Sequence, residues 1–451
     1  MSAFCTQFLC IEIKWKQVHS STLAAMPPDD FRDSGSLPAQ HPAGASVMEW
    51  ADTLAQHTDV PGQLTCTYLT EAHRATADQL ARWMREAGFD TVRVDAVGNV
   101  IGRYRADARV AEPRLVATGS HYDTVRNGGR YDGRLGILLP VAVVAALHAA
   151  GERLPYDLEV IGFAEEEGVR YGSTFLGSSA YLGQFDMALL DQADAKGIPM
   201  RDALRTAGLD PDAIAQTAAD RTRLAHFFEV HIEQGPVLLQ RELPLGIVSA
   251  IAGCVRRRLV LTGQAGHAGT TPMGMRRDAA CAAAEIVLMV ENRCRSEDGL
   301  VGTVGVLDVP GGSINVIPGA CVLTLDVRAG DDAVRDQALA DIEREIAAIC
   351  ARRAIEWHSE ELMRAAATPC TPAHRAHWRA VLESLHAPVF ELPSGAGHDA
   401  MLMGRAVPTS MLFVRCGNGG ISHNPLETMT AEDAALAARA VTGFLHRLAQ
   451  D

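Results

Sequence analysis

Apolar and polar positions switch between a strand period and a helical period along most of the chain. Residues 114–118 form a short apolar run typical of a buried strand, 135–150 is apolar over a helical length, and 158–164 is a second apolar run. The order strand, helix, strand describes a βαβ unit, whose two strands pair in parallel through a right-handed crossover. This pattern predicts an α/β domain built on a mostly parallel sheet.

The segment from about residue 245 to residue 361 has a different order of elements. It predicts strands and helices in the order β-α-β-β-α-β, at residues 254–261, 277–294, 301–309, 320–327, 332–353 and 355–359. This order is typical of a ferredoxin-like α+β sandwich, which buries its own core. We therefore predict that it is a second domain inserted into the first.

The α/β pattern resumes after this segment, with a predicted helix over 430–448 that begins with a capping-box spacing. The first domain is therefore predicted to be discontinuous. The resulting division has four parts: a poorly structured extension (1–45), the first part of the α/β domain (46–244), the inserted domain (245–361) and the second part of the α/β domain (362–451).

Composition narrows the functional class. The chain of 451 residues carries 41 Lys plus Arg and 55 Asp plus Glu, a formal net charge of −14. This balance argues against binding to nucleic acid or to an anionic membrane, which requires concentrated positive charge. No run approaches the ~20 apolar residues of a membrane-spanning helix. The ten cysteines form no C-x-x-C pair, so the sequence favours a cytosolic enzyme without a thiolate zinc site or a disulfide framework.

Side chains of the kind that bind metals follow several predicted strands. They are His121 and Asp123, Asp132 in a glycine-rich loop, Glu165-Glu166-Glu167, His231 and His423. A single histidine at a strand end is usually structural, and an acidic triplet is usually a solvated turn. Three carboxylates directly after a buried strand repel one another unless a cation offsets their charge. Because parallel strands gather their carboxyl ends at one edge, the groups together favour a hydrolytic zinc or manganese centre.

The motifs then run in an order that resembles the amidase, hydantoinase and carbamoylase family of dinuclear zinc amidohydrolases. This family includes allantoate amidohydrolases, N-carbamoyl-L-amino acid hydrolases and β-ureidopropionases. The matching motifs are Gly119-Ser-His-Tyr-Asp-Thr124, Asn127-Gly-Gly129, Tyr131-Asp-Gly133, Glu166-Glu-Gly168, His231-Ile-Glu-Gln-Gly235, Gly266-His-Ala-Gly-Thr-Thr-Pro-Met273, Asn315-Val-Ile-Pro318, Asp326-Val-Arg328 and Ser422-His-Asn-Pro425. The resemblance covers roughly residues 50–450 and implies a metallopeptidase-like catalytic domain with an inserted lid and dimerisation domain.

The resemblance implies a specific ligand set for two divalent ions, zinc or manganese, with cobalt also compatible. One ion would be held by His121, Asp132 and His231, and the other by Asp132, Glu167 and His423, with Asp132 shared. Glu166 would be the general base that takes a proton from the attacking water. Asp123 would accept a hydrogen bond from His121 and fix its tautomer, although a loop-capping Asx turn would also explain Asp123.

Substrate contacts are also implied by the resemblance. Arg328 would bind a carboxylate, and Asn315 and Gln234 would contact a ureido group. His267 would support the oxyanion, from the same chain or across a dimer interface. His398 matches a family loop near the site. Without the resemblance, a surface arginine on a strand is the favoured interpretation of Arg328.

The resemblance thus implies a homodimeric amidohydrolase that cleaves the carbamoyl C–N bond of a small ureido carboxylate, and the cysteine pattern favours a cytoplasmic location. Allantoate, converted to ureidoglycine, ammonia and carbon dioxide, is the first candidate substrate. An N-carbamoyl-L-amino acid hydrolase and a β-ureidopropionase are the alternatives within the family. A dinuclear zinc aminopeptidase and an inactive metal-stabilised binding protein are more distant alternatives.

Overall fold

The computed structural model of the chain describes residues 43–450. The extension predicted over residues 1–45 therefore lies outside the described residues, apart from its last three residues, which begin the first helix. The described residues form α-helices α1 (Ala43–Leu54), α2 (Glu71–Glu86), α3 (Leu135–Ala149), α4 (Leu176–Tyr181), α5 (Met200–Thr206), α6 (Val237–Gln240), α7 (Ala279–Arg295), α8 (Asp332–Arg353), α9 (Pro372–Ser384), α10 (Ala400–Met403) and α11 (Ala431–Leu448).

The strands belong to three sheets. They are β1 (Thr91–Val94), β2 (Val100–Tyr104), β3 (Leu115–His121), β4 (Asp157–Phe163), β5 (Leu224–Ile232), β6 (Leu245–Ile251), β7 (Gly253–Thr262), β8 (Gly266–His267), β9 (Leu300–Asp308), β10 (Val316–Ile317), β11 (Ala320–Ala329), β12 (Glu356–Ala365), β13 (Thr368–Pro369), β14 (Glu391–Ser394) and β15 (Thr409–Val414). The two-stranded sheet is the short pair β8 and β10.

The largest sheet has nine strands in the order β1-β2-β4-β3-β5-β15-β6-β13, with β14 paired to β6. Its centre is parallel, because β3 pairs in parallel with β4 and β5, and β5 pairs in parallel with β15. Both faces are covered: Val116 of β3 belongs to the core cluster under α1, α3 and α11, whereas Ala117 belongs to the cluster under α4 and α10. This confirms the predicted α/β class and explains why β3 and β4 are buried along their whole length.

The smaller sheet is antiparallel in the order β12-β7-β11-β9. Residues alternate between buried and half-buried along β11, and the buried face packs against α7 and α8 in a separate core. The elements follow the predicted β-α-β-β-α-β order of a ferredoxin-like unit. The domain boundaries themselves stay predictions. In the structure, Leu245–Ile251 pairs within the nine-stranded sheet, and the outer strand of the smaller sheet continues to Ala365.

The predicted start of the last helix is confirmed. Thr430 is the N-cap of α11, and its hydroxyl accepts a hydrogen bond from the backbone N–H of Asp433 at 3.1 Å. Between residues 43 and 450, no helix has both the length and the apolar character needed to cross a membrane.

Candidate metal centre

The parallel centre of the large sheet brings the predicted metal-binding side chains together. His121 is the last residue of β3, Glu166 and Glu167 follow the end of β4, and His231 lies near the end of β5. His423 comes from the loop after β15, and the loop between β3 and α3 supplies Asp132. Because these strands run in the same direction, their carboxyl ends share one edge of the sheet, as the sequence predicted.

Asp132 is at the centre of the cluster. Its Oδ1 lies 3.7 Å from His121 Nε2 and 3.5 Å from His231 Nε2, and its Oδ2 lies 3.2 Å from His423 Nε2. Glu167 Oε1 is 3.7 Å from the same His423 nitrogen. The two oxygens of one buried carboxylate therefore face two different sets of side chains, so Asp132 would be able to contribute an oxygen to a cation on either side.

Two groups in the described chain reproduce the ligand sets that the resemblance implies. His121, Asp132 and His231 have potential ligand atoms within 4.8 Å of one another, and so have Asp132, Glu167 and His423. The donors are imidazole nitrogens and carboxylate oxygens, a set that suits zinc or manganese. The assignment of each residue to one ion remains a proposal.

Hydrogen bonds on the outer side of each imidazole orient the inner nitrogen toward Asp132. His231 Nδ1 lies 2.8 Å from the carbonyl oxygen of Ile232, and His121 Nδ1 lies 3.1 Å from the carbonyl oxygen of Asp123. Because a carbonyl oxygen can only accept, each Nδ1 donates to it, and Nε2 is the nitrogen that faces Asp132 and would bind a metal ion.

The electrostatics of the cluster fit a cation site. Burial raises the pKa of Glu166 well above its usual range, and it raises the pKa of Glu167 to about 7 despite the nearby His121. Burial would raise the pKa of Asp132 too, but hydrogen bonds from His121 and His423 hold it well below its usual range. Carboxylates this close compete for protons, and a divalent cation would relieve their repulsion.

One buried atom tests whether the residues fit a metal. Glu167 Oε1 is inaccessible to solvent and has no hydrogen-bond donor among the described residues. A buried carboxylate oxygen without a donor is costly unless a proton or a cation satisfies it. The orientation of this oxygen toward His423 and the Asp132 side of the cluster therefore fits a metal ligand.

Asp123 connects two parts of the site. Its Oδ1 is 3.3 Å from His121 Nδ1, and its carboxylate accepts hydrogen bonds from the backbone N–H groups of Glu166 at 3.1 Å and Glu167 at 3.2 Å. The carboxylate thus bonds across to the end of β4 and fixes the two glutamates relative to His121. The role of Asp123 behind His121 stays a prediction, and the bonds to Glu166 and Glu167 are contacts that a local Asx turn would lack.

Local backbone conformation also serves the site. Gly133 has φ +67°, and a Cβ there would lie 2.5 Å from the ring of His121, so only glycine allows this approach. Gln234 and His423 have φ of +57° and +52°, values that are uncommon for residues with side chains. The amide nitrogen of Gln234 lies 3.1 Å from Asp132 Oδ1 and 3.3 Å from His423 Nε2.

A cavity of about 490 Å³ opens over the cluster. Its wall includes the metal-type residues, Gln234 and Arg328, together with three arginines that the sequence analysis did not single out, Arg256, Arg364 and Arg405. Arg256 pairs with Asp326, and Arg364 pairs with Glu361 and Asp336. The cavity therefore combines a carboxylate-rich floor with a cationic wall, which suits a small anionic substrate.

Three other residues of the predicted site do not line this cavity. His267 and Asn315 are exposed on the β8 and β10 side of the inserted segment, and neither belongs to the wall of this cavity. His398 is buried behind His231, with ring centroids 4.4 Å apart, and its Nε2 is 2.8 Å from Ser394 Oγ. The contacts of these residues with a substrate stay predictions.

Buried carboxylates around the site were missed from the sequence. Glu229 accepts hydrogen bonds from Ser120 Oγ at 2.6 Å and from the Ala400 N–H at 3.0 Å. Burial raises its pKa to about 8. A glutamate inside the apolar run Phe227-Phe-Glu-Val230 was the available signal. Glu427, four residues after His423, is a second buried carboxylate. Its sequence gave a weaker indication of burial, because the turn between these two residues has no regular hydrophobic period.

The chain is similar to known proteins over most of its length. A family model described as peptidase family M20/M25/M40 matches residues 117–447. The chain is 37% identical to a probable allantoate deiminase of Oryza sativa subsp. japonica, over 88% of this chain and 87% of that protein. It is 39% identical to an N-carbamoyl-L-amino acid amidohydrolase of Geobacillus stearothermophilus, over 86% and 94%. A crystal structure of a hydantoinase/carbamoylase family amidase from Burkholderia multivorans superposes with TM-score 0.83 at 33% identity, covering 90% of this chain and 98% of that one.

Proposed function

The chain belongs to peptidase family M20/M25/M40, and on this premise we propose that it is a metal-dependent amidohydrolase that cleaves the carbamoyl C–N bond of a small ureido carboxylate. Allantoate is the first candidate substrate, since similar proteins from several organisms are named allantoate deiminase or allantoate amidohydrolase. An N-carbamoyl-L-amino acid is the second, because a relative of equal similarity carries that name. An enzyme with this activity belongs to the hydrolases that act on C–N bonds other than peptide bonds.

The observation that carries the proposal is the position of Asp132 between two ligand groups. We propose that His121, Asp132 and His231 hold one divalent ion and that Asp132, Glu167 and His423 hold the other. Zinc and manganese suit these ligands, and cobalt is also compatible. When bound, such ions polarise a carbonyl group and lower the pKa of water toward neutrality.

Glu166 is the proposed general base. It lines the cavity beside His121, and its backbone N–H is fixed by Asp123. Burial raises its pKa well above the usual range, so its carboxylate is a stronger proton acceptor than an exposed glutamate. Glu166 takes a proton from the water whose oxygen bonds to the ureido carbonyl carbon. It then delivers that proton to the nitrogen that departs when the C–N bond breaks, and the released carbamate decomposes to carbon dioxide and ammonia.

Residues on the cavity wall would orient the substrate. Arg328 supplies a guanidinium to the substrate carboxylate, and Gln234 supplies its amide to the ureido group. The Gln234 amide is already beside Asp132, so it can align the ureido group with the reacting centre. A small cavity with few fixed polar groups favours a compact substrate.

We further propose a homodimer in which the inserted domain reaches the cavity of the partner. His267 and Asn315 are exposed and lie off the cavity wall of their own chain. Exposed apolar side chains surround them, with Ile314 fully exposed and Met273 and Met275 about three-quarters exposed. A partner surface would cover these side chains and bring His267 to the oxyanion and Asn315 to the ureido group. We also propose a cytoplasmic location, because the ten cysteines form no C-x-x-C pair.

Turnover on matched substrates tests the proposal. Ammonia release is measured from allantoate, an N-carbamoyl-L-amino acid and β-ureidopropionate, and amino-acid release from dipeptides, each with zinc, manganese and cobalt. We expect ureido hydrolysis without peptide hydrolysis. Release of amino acids alone would instead indicate an aminopeptidase.

A variant of the base separates catalysis from metal binding. Replacing Glu166 with Gln keeps the shape of the side chain and removes the proton acceptor. We expect the bound metal content to stay unchanged and the turnover number to fall by roughly 10²- to 10⁴-fold. Full turnover of Glu166→Gln would rule out this base. Metal binding by the native chain without turnover on any of these substrates would favour a binding protein.

A further inference from the structure

A single buried carboxylate joins the two segments that carry Asp132 and His423. Glu427 is 2% exposed. Its Oε1 accepts hydrogen bonds from the backbone N–H groups of Tyr131 at 2.9 Å and Asp132 at 3.2 Å, and its Oε2 accepts one from Ser422 Oγ at 2.7 Å. One donor is Asp132 itself, and the other two are the residues directly before Asp132 and His423, which the proposed function assigns as metal ligands. The two segments are almost 300 positions apart along the chain.

The surrounding chain is shaped around this carboxylate. Asn424 closes a tight turn, because its Oδ1 accepts from the N–H of Leu426 and its carbonyl oxygen accepts from the N–H of Glu427, both at 3.0 Å. On the opposite side, a Cβ at Gly129 would lie 2.2 Å from Glu427 Oε1. The glycine of the loop before Asp132 therefore leaves space for the Glu427 carboxylate, a requirement distinct from that of Gly133 beside His121.

We propose that Glu427 is a positioning residue, which holds Asp132 and His423 at the spacing that a pair of divalent ions requires. Asp132 Oδ2 and His423 Nε2 are 3.2 Å apart, and each is mounted on a loop that Glu427 ties to the other. Without these hydrogen bonds, each loop can move independently and the ligands have to be reordered when a cation binds. The inference rests on the proposed function, since it concerns the same metal centre.

Metal binding, measured apart from activity, tests this role. Metal-free protein is titrated with Co²⁺, and the visible absorption of the bound ion reports both the affinity and the coordination geometry. For Glu427→Ala we expect a roughly 10- to 100-fold loss of Co²⁺ affinity, as for other residues that orient metal ligands, and an altered visible spectrum. For Glu427→Gln we expect most of the affinity to be retained. The amide oxygen can accept from both N–H groups, and the amide nitrogen can donate to Ser422 Oγ.

A second pair of variants perturbs the same contact from its other side. Gly129→Ala places a methyl group against the Glu427 carboxylate and leaves the carboxylate itself in the chain. Gly305→Ala is the matched control, because a Cβ at that exposed glycine of β9 would meet Thr324 Oγ1 at 3.7 Å, an ordinary van der Waals contact. We expect the first variant to lose Co²⁺ affinity and the second to match the native chain. Glu383→Gln, at an exposed position of α9, controls for the loss of a negative charge.

The outcomes separate this inference from the proposed function. If folded Glu427→Ala and Gly129→Ala bind Co²⁺ with native affinity and spectrum, the positioning role is wrong, even if their melting temperatures fall. An equal loss in Glu427→Gln and Glu427→Ala would also overturn it, because the hydrogen bonds would then not be what matters. If the native chain binds no Co²⁺, the proposed metal centre itself fails.

Discussion

Arg328 and Asp326, two residues apart on β11, form a two-point ion pair in which Nε bonds to Oδ1 and Nη2 bonds to Oδ2, both at 2.9 Å. Arg256 Nε bonds to the same carboxylate at 3.0 Å. The third nitrogen of the Arg328 guanidinium, Nη1, donates a hydrogen bond to the carbonyl oxygen of Gly395 at 2.8 Å. The arginine predicted to bind the substrate is therefore held in one orientation, and each of its two terminal nitrogens keeps one N–H that these bonds do not use.

This arrangement predicts two graded effects on substrate binding. Arg328→Lys loses both the pairing with Asp326 and the planar edge, so we expect KM for the ureido substrate to rise roughly 10- to 100-fold. Asp326→Asn keeps the guanidinium but loosens its orientation, so we expect a smaller rise in KM and little change in kcat. Steady-state kinetics of both variants provide the measurement. An unchanged KM in Arg328→Lys would place the carboxylate contact elsewhere in the cavity.

The contact between Gly133 and His121 predicts a metal-binding defect. Gly133→Ala adds a methyl group 2.5 Å from the His121 ring at a position with φ +67°, so the imidazole must move. We expect a loss of zinc affinity, measured by competition with a chelator. Gly151→Ala is the matched control, since Gly151 has φ +65° and no atom within 4 Å of an added Cβ. It carries the same backbone strain, roughly 1 to 2 kcal/mol, without the clash. Equal zinc affinity in the two variants would show that the His121 ring tolerates the methyl group.

The exposed position of His267 predicts complementation between two inactive variants. Glu166→Gln lacks the proposed base, and His267→Ala lacks the oxyanion donor that the partner chain would supply. In an equimolar mixture of exchanging dimers, half the dimers are mixed and one of their two sites is intact, so about a quarter of native activity should return. Mixtures that stay inactive, although subunit exchange is demonstrated, would place His267 in its own chain's site or outside it.

The sequence predicts the fold well where a helical or strand pattern of apolar residues is long and agrees with the local capping and turn residues. The helix over 332–353 was predicted with its observed bounds, because Asp331 caps its N-terminus and the apolar residues keep a helical spacing. The residues of β6 lie within the predicted inserted segment, because their apolar run directly precedes β7. Their place in the nine-stranded sheet depends on pairing with β13, β14 and β15, which are distant along the chain. Short elements such as α10 depend on tertiary contacts, and they have too few residues to show a helical pattern of apolar positions in the sequence.

The site was predictable in its ligands and less so in its supports. Each proposed ligand follows a recognisable apolar strand or lies in a glycine-rich loop, so the topology of a parallel sheet gathers them. Glu427 and Glu229 act through hydrogen bonds to distant backbone and hydroxyl groups, and no local pattern encodes such partners. The pairing of Arg328 with Asp326 was also not predicted, although residues two positions apart on a strand lie on the same face of the sheet.

His73 predicts a distinct acid sensitivity of the fold. It is buried on α2, stacks on Tyr122 with ring centroids 4.4 Å apart, and has Nε2 2.7 Å from the carbonyl oxygen of Ala164. Burial lowers its pKa to about 4, whereas an unfolded histidine titrates near 6.5. Because the folded-state pKa is depressed, the contribution of His73 is fully present above pH 6.5 and is lost as the pH falls toward 4. The loss amounts to about 3 kcal/mol.

A variant that cannot titrate isolates this contribution. His73→Gln keeps an N–H donor for Ala164 but takes up no proton, so the free energy of unfolding should fall less steeply between pH 6.5 and 4 than in the native chain. Urea unfolding of the metal-free proteins at a series of pH values measures this slope, and other titrating groups cancel in the difference. His358→Gln, at an exposed histidine of β12, should keep the native slope. Equal slopes for the native chain and His73→Gln would mean that His73 accepts its proton without unfolding, which would require water to reach the ring beside Tyr122.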